Sequence, residues 1–141
     1  MNHIYLTLNT DGASRGNPGP ASAGATIKDE GGNLLCSMSR YLGNSTCNQA
    51  EYQALIMALE EARRIGAFEV RILADSELLI KQLRGQYRVK NASLTLLYGV
   101  VMKHLAGFQI WNARHIPREE NSAADRLANE ALDRAGVRHQ K

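Results

Sequence analysis

The chain has 141 residues, 17 Lys and Arg against 14 Asp and Glu for a formal charge of +3, and an apolar share of 44%; that composition excludes a disordered segment and can bury one core without staples. Two cysteines, Cys36 and Cys47, with no CxxC pair and no histidines at zinc-site spacing, exclude a disulfide framework and structural zinc, so a reducing, cytoplasmic compartment is expected. The start MNHIYLTLNTDG lacks a basic lead followed by an apolar run, and nowhere are there about 18 uninterrupted apolar residues, so neither a secretory leader nor a membrane span is expected.

In chain order, the alternation Ile4-Tyr5-Leu6-Thr7-Leu8-Asn9 predicts a strand ended by Asp11-Gly12, and the Gly- and Pro-rich residues 14–20 predict a loop. Ala23–Lys28 and Leu34–Tyr41 read as two strands joined by a turn at residues 29–32, so the first third is an antiparallel meander. Ser45 or Thr46 caps a helix over about residues 47–65, stopped by Gly66, with Ala54, Leu55, Ala58, Leu59, Ala62 and Ile65 on its apolar stripe. Glu69–Ala74 is a further strand, Glu77–Leu83 a short helix broken by Gly85, and about 92–105 a helix presenting Leu94, Leu97, Tyr98, Val101 and Leu105. Phe108–Ala113 follows as a fifth strand, closed by Pro117, and Asn121 or Ser122 caps a last helix running to about Ala135 with Leu127, Ala128, Ala131 and Leu132 inward. The order predicts an α/β fold with a mixed sheet flanked by helices, in which a helical crossover makes the first and fourth strands parallel neighbours.

Charge is unevenly spread. From Leu78 to Arg118 there are seven basic residues, Lys81, Arg84, Arg88, Lys90, Lys103, Arg114 and Arg118, and no Asp or Glu, while the rest of the chain is net acidic. Such a stretch suits a polyanion, and it also suits a solvated face neutralised by acids from elsewhere in the fold.

Asp11 and Asp75 each end a strand, and each has an ordinary reading as a turn former or the neighbour of a cap. Glu51 lies three, four and seven residues before Ala54, Leu55 and Ala58, which places a carboxylate on the face that packs against the sheet. Asp125 borders the inward face of the last helix in the same way, or is a first-turn acid. If the first and fourth strands are adjacent, the four acids converge at one end of the sheet, where open α/β sheets bind ligands. Mutually repelling carboxylates need a cation, and oxygen-only ligands favour Mg²⁺ or Mn²⁺ over zinc. A pair of such ions can activate water and stabilise the leaving oxygen in phosphodiester cleavage.

The residues at these positions resemble the type 1 ribonucleases H. Asp11 to Pro20, DGASRGNPGP, is similar to the family's first motif DGxxxGNPGP; Thr46 to Glu51, TCNQAE, to its second, TNNxxE; Asp75-Ser76 to its strand-terminal DS; and His115 to Asp125, HIPREENSAAD, to its fourth. The similarity covers residues 3–135, within a single domain taken as 1–141. It implies a ribonuclease H-like fold, a five-stranded mixed sheet of order 3-2-1-4-5 with its first three strands antiparallel. The implied activity is endonucleolytic hydrolysis of the RNA strand of RNA–DNA hybrids to 5′-phosphate and 3′-hydroxyl products. Asp11, Glu51, Asp75 and Asp125 would be catalytic metal ligands for Mg²⁺ or Mn²⁺, two ions with substrate bound, and His115 a catalytic residue on a mobile loop for proton transfer or product release. Gly16, Asn17 and Thr46 would meet the nucleic-acid backbone and Asn48 the minor groove, where neutral amides can read 2′-hydroxyls. No membrane and no obligate protein partner is implied.

The chain departs from the pattern in three places. Cys47 stands where many members have Asn, and Glu77 adds an acid after the DS pair. Residues 85–91, GQYRVKN, are too short for the Trp-bearing basic protrusion of some bacterial members, so the chain resembles the protrusionless archaeal and bacterial branch, with Lys90 and Arg118 as candidate phosphate contacts. Two alternatives stand beside hybrid cleavage: substantial cleavage of double-stranded RNA, and a nucleic-acid-binding module that no longer turns over.

Overall fold

The computed structural model describes residues 3–138 and arranges them around one five-stranded sheet; the first two residues of the stretch read for a leader, and residues 139–141, lie outside the described residues. Strands β1 (Tyr5–Ser14), β2 (Gly19–Lys28) and β3 (Leu34–Ser45) form the meander. Helix α1 (Cys47–Ile65) leads to β4 (Glu69–Ala74), helices α2 (Glu77–Leu83) and α3 (Ala92–Leu105) to β5 (Ile110–His115), and a 3-10 turn at Arg118–Asn121 enters α4 (Ser122–Arg134). The sheet order is β3-β2-β1-β4-β5, with β1, β2 and β3 antiparallel and β4 parallel to both β1 and β5, as expected.

Local sequence explains most of these elements. Thr46 accepts from the Gln49 amide at 3.1 Å while Gln49 Oε1 accepts from the Thr46 amide at 2.9 Å, a reciprocal cap that starts α1. Gly66 ends it at a left-handed φ of 93°. The apolar stripe of α1 buries Ala54, Leu55, Ala58, Leu59 and Ala62 against Leu6, Leu8, Ala23, Ala25 and Ile27 of the sheet.

The two helices nearest the site take opposite faces of the sheet. Gly12 pairs with Ala23 and Asp11 with Gly24, so Gly12 and Gly24 point to opposite sides of the pleat. A Cβ on Gly12 would run into the backbone of Ala50 and Glu51 of α1, and one on Gly24 into the backbone of Ala124 and Ala128 of α4. Small residues therefore bring both helices close, and the Ser22 and Ser39 hydroxyls donate to the Ala128 and Leu127 carbonyls of α4.

Several boundaries differ from the sequence expectation, each through long-range pairing. β1 does not end at Asp11-Gly12 but continues to Ser14 because β2 pairs with it there, so Asp11 lies inside a strand. The loop shrinks to residues 15–18, since Gly19 and Pro20 pair with Ser45 and Asn44 of β3 despite their poor strand propensity. β5 begins at Ile110 rather than Phe108, because Phe108 packs into the core and the Gln109 and Ile110 amides bond the Phe68 carbonyl. The Asn121 side chain makes no capping hydrogen bond to α4; it points into the sheet instead. No helix among the described residues is long and apolar enough to cross a membrane.

Candidate active site

The site begins where two parallel strands part. The β1–β4 ladder ends at the pair Thr10–Ala74, and the residue that follows each is a carboxylate, Asp11 still within β1 and Asp75 just past β4. Beyond that point β1 is paired with β2 alone, and the opening beside it is the crevice that α/β sheets offer to ligands.

Glu51 comes to this fork from α1. It is 5% exposed, and its Oε1 accepts a 2.7 Å hydrogen bond from the Gly12 amide. Its Oε2 has no hydrogen-bond partner, and neither does the buried hydroxyl of Thr10 beside it in sequence to Asp11. A buried acceptor without a donor is costly, and this one faces other acids. One carboxylate oxygen each from Asp11, Glu51 and Asp75 lie within 4.8 Å of one another.

Burial, followed by the charge of Glu51, pushes the Asp11 carboxyl far above the ordinary carboxylate range. Burial also raises Glu51, against the lowering effect of the neighbouring Asp11 carboxyl and of the Gly12 amide. Such a pair holds a proton when no cation is present. A cluster of oxygen donors with an orphaned buried oxygen fits a hard divalent cation.

Asp125 lines the same cavity, of about 530 Å³, but stands apart from the tight trio. It sits in the first turn of α4, accepts from the Asn129 amide at 3.3 Å, and lies 3.8 Å from Arg118. Asn121, 1% exposed, ties the supporting elements together: its amide donates to the Thr10 carbonyl at 2.9 Å and to Asp75 Oδ1 at 3.3 Å, and its oxygen accepts from Asn9 at 3.1 Å. It therefore joins β1, the end of β4 and the start of α4.

Of the residues expected to act, the cavity gathers Asp11, Glu51, Asp75, Asp125, Asn48 and Arg118. Gly16, Asn17, Thr46, Lys90 and His115 are outside its lining. Asn17 Oδ1 accepts from the Cys47 amide at 3.0 Å and so stitches the loop 15–18 to the start of α1. Thr46 uses its oxygen as the cap of α1, which leaves its hydroxyl hydrogen to donate. Lys90 is exposed between α2 and α3. His115 is not on a loop: it is the last residue of β5, exposed and paired in register with Ala74, because β5 runs two residues further than its apolar pattern suggests.

The added acid Glu77 is outside the cavity lining and pairs with Lys81 at 2.9 Å. Cys47 does line it, and burial with the nearby Glu51, Asp11 and Asp75 charges pushes its thiol up, so the sulfur stays protonated. Sequence reasoning missed Arg15 and Asn129. The spacing of Asn129 four residues after Asp125 was the available signal.

The same fold recurs in known proteins. A family model described as Reverse transcriptase-like matches residues 9–131. Ribonuclease H of Pseudomonas syringae pv. syringae is 35% identical over 95% of this chain and 97% of its own length. The chain belongs to the ribonuclease H family. Ribonuclease HI of Halobacterium salinarum is 43% identical over 94% of this chain, and the chain spans 65% of that protein and 36% of a related bifunctional protein of Mycobacterium tuberculosis. Among solved ribonuclease H structures, the N-terminal domain of that mycobacterial protein superposes with a TM-score of 0.91 at 38% identity, covering 94% of this chain and 96% of that one. LC11-RNase H1, solved in complex with an RNA/DNA hybrid, superposes with a TM-score of 0.89 at 42% identity, covering 94% and 99%.

Proposed function

We propose that this chain is a divalent-cation-dependent endoribonuclease that hydrolyses the RNA strand of RNA–DNA hybrids to 5′-phosphate and 3′-hydroxyl products. The observation that carries the reading is the convergence of Asp11, Glu51 and Asp75 within 4.8 Å of one another at the β1–β4 fork, beside the exposed amide of Asn48 and the guanidinium of Arg118. Kinship with LC11-RNase H1, which was solved bound to a hybrid, supports the substrate class.

Asp11, Glu51, Asp75 and Asp125 would hold the cation, Mg²⁺ or Mn²⁺, with two ions present when substrate is bound. When bound, such ions supply Lewis-acid stabilisation of charge on the phosphate and lower the pKa of water. The chain's own residues do the rest. Gly12 fixes Glu51 Oε1 through its amide and leaves Oε2 free for a ligand. Asn48 offers a donor and an acceptor to a 2′-hydroxyl across the wide minor groove of an RNA-containing duplex. Gly16, Asn17, Thr46, Lys90 and Arg118 meet backbone phosphates, which position the duplex without reading its sequence. His115, exposed at the end of β5, serves proton transfer to the departing 3′-oxygen or product release.

Cys47 favours a second reading. A protonated thiol replaces the amide that many relatives present beside Asn48, so one hydrogen-bonding handle on the 2′-hydroxyl face is weakened. Discrimination between hybrid and double-stranded RNA then falls chiefly on Asn48. The experiment that tests both is cleavage of matched hybrid, RNA duplex and DNA duplex at equal salt, with Mg²⁺, Mn²⁺ or chelator. Hybrid cleavage that needs the ion is expected; a weak, ion-independent signal would favour a binding module, and equal cutting of the DNA duplex would contradict the 2′-hydroxyl argument.

A further inference from the structure

We propose that Asn129 is a positioning residue for Asp125, held in turn by the buried guanidinium of Arg15, and that this relay sets how tightly the acidic cavity takes a divalent cation. The inference rests on the reading of Asp125 as a cation ligand.

Asp125 needs such help more than the other acids. Its side chain is 32% exposed, and it lies outside the trio whose oxygens crowd together at the fork. The Asp11 carboxyl meets it from β1 and Arg118 lies 3.8 Å away, but neither comes from its own helix. There it is held by Asn129, one helical turn later, whose Nδ2 lies 3.0 Å from the Asp125 carbonyl and 3.3 Å from its Oδ1.

The orientation of that amide is decided by Arg15. A guanidinium only donates, so it must face the oxygen of a side-chain amide and never the nitrogen. Arg15 Nη2 lies 3.2 Å from Asn129 Oδ1, which turns the Asn129 NH₂ towards Asp125. Arg15 is itself fixed: it is 8% exposed, its Nη1 donates to the Val137 carbonyl at 2.6 Å, and its Nη2 pairs with Asp133 at 2.9 Å. A chain of three side chains thus runs from the first Gly-rich loop through α4 to a carboxylate in the cavity. Asn129 lines that cavity as well. A carboxylate already oriented by an amide loses less freedom when a cation arrives, and loss of such a partner weakens metal affinity by about 10- to 100-fold.

The test is Mn²⁺ binding to the metal-stripped protein by titration calorimetry, run with thermal melts on wild type, Asn129→Ala, Asp125→Asn, Arg15→Lys and the Arg15→Lys/Asn129→Ala double variant. The proposal expects Asn129→Ala to weaken Mn²⁺ about tenfold or more while remaining folded at the titration temperature. It also expects Arg15→Lys to weaken Mn²⁺ alone and to add little once Asn129 is gone. Wild-type Mn²⁺ affinity in Asn129→Ala, whatever its melting temperature, overturns the proposal. If Asp125→Asn weakens binding and Asn129→Ala does not, the relay alone is wrong; if Asp125→Asn binds like wild type, the assignment of Asp125 as a ligand is wrong and the relay falls with it.

Discussion

The Gly12 amide donates to Glu51 Oε1 at 2.7 Å, across a contact between β1 and α1 too close to admit a Cβ. This bond needs a residue without a side chain. A Cβ on Gly12 would overlap the backbone of Ala50 and Glu51, so α1 would have to move away from the sheet and take the buried carboxylate with it.

Gly12→Ala should therefore cost about 2–3 kcal/mol of stability, read as a lower urea midpoint at unchanged slope. It should also weaken cation binding. A variant as stable as wild type would show that the β1–α1 contact is looser than this geometry requires.

Stability of the cation-free protein should fall as pH rises. Asp11 and Glu51 have folded-state pKa values raised to about 10 and about 7. The unfolded chain releases these protons from about pH 4 upward, while the folded chain keeps them, so over that interval the unfolded state binds fewer protons and stability declines with pH. In chelator, the melting temperature should drop between pH 5 and pH 8, and saturating Mn²⁺ at pH 8 should reverse the drop. A flat profile in chelator would mean that the acids do not hold a proton between them.

Asp11→Asn removes one of the crowded charges. Cleavage of a hybrid should fall about a thousandfold or more, yet the melting temperature in chelator at pH 8 should be equal to or above that of wild type, because an amide stays neutral without having to hold a proton. A large loss of melting temperature would assign Asp11 a structural role.

Much of the site was legible in the sequence, and the reasons are local. Glu51 betrays itself by sharing a helical face with Ala54, Leu55 and Ala58, and Asp75 by ending an apolar strand before a capping Ser76. The parallel pairing of β1 with β4 follows from a helix of 19 residues long enough for the crossover, whereas the full sheet order was implied only by the resemblance to the ribonucleases H. What stayed hidden depends on distant partners. β1 runs past Asp11 only because β2 pairs with it, and Asn121 reads as a helix cap although its amide serves Thr10 and Asp75. Arg15 looks like a loop residue until α4 is laid beside it.

His115→Ala should slow hybrid cleavage about 100-fold and leave Mn²⁺ affinity unchanged, since the imidazole sits at the end of β5 and outside the cavity lining. Turnover and calorimetry together check this. A wild-type rate across the pH range would remove His115 from proton transfer.

The most direct measurement is anomalous diffraction from crystals of this protein soaked in Mn²⁺. A strong peak bounded by the carboxylates of Asp11, Glu51 and Asp75 is expected, lost in Asp11→Asn crystals. Ordered Mn²⁺ found only elsewhere, with those three carboxylates holding none at millimolar concentrations, would contradict the proposed cation site.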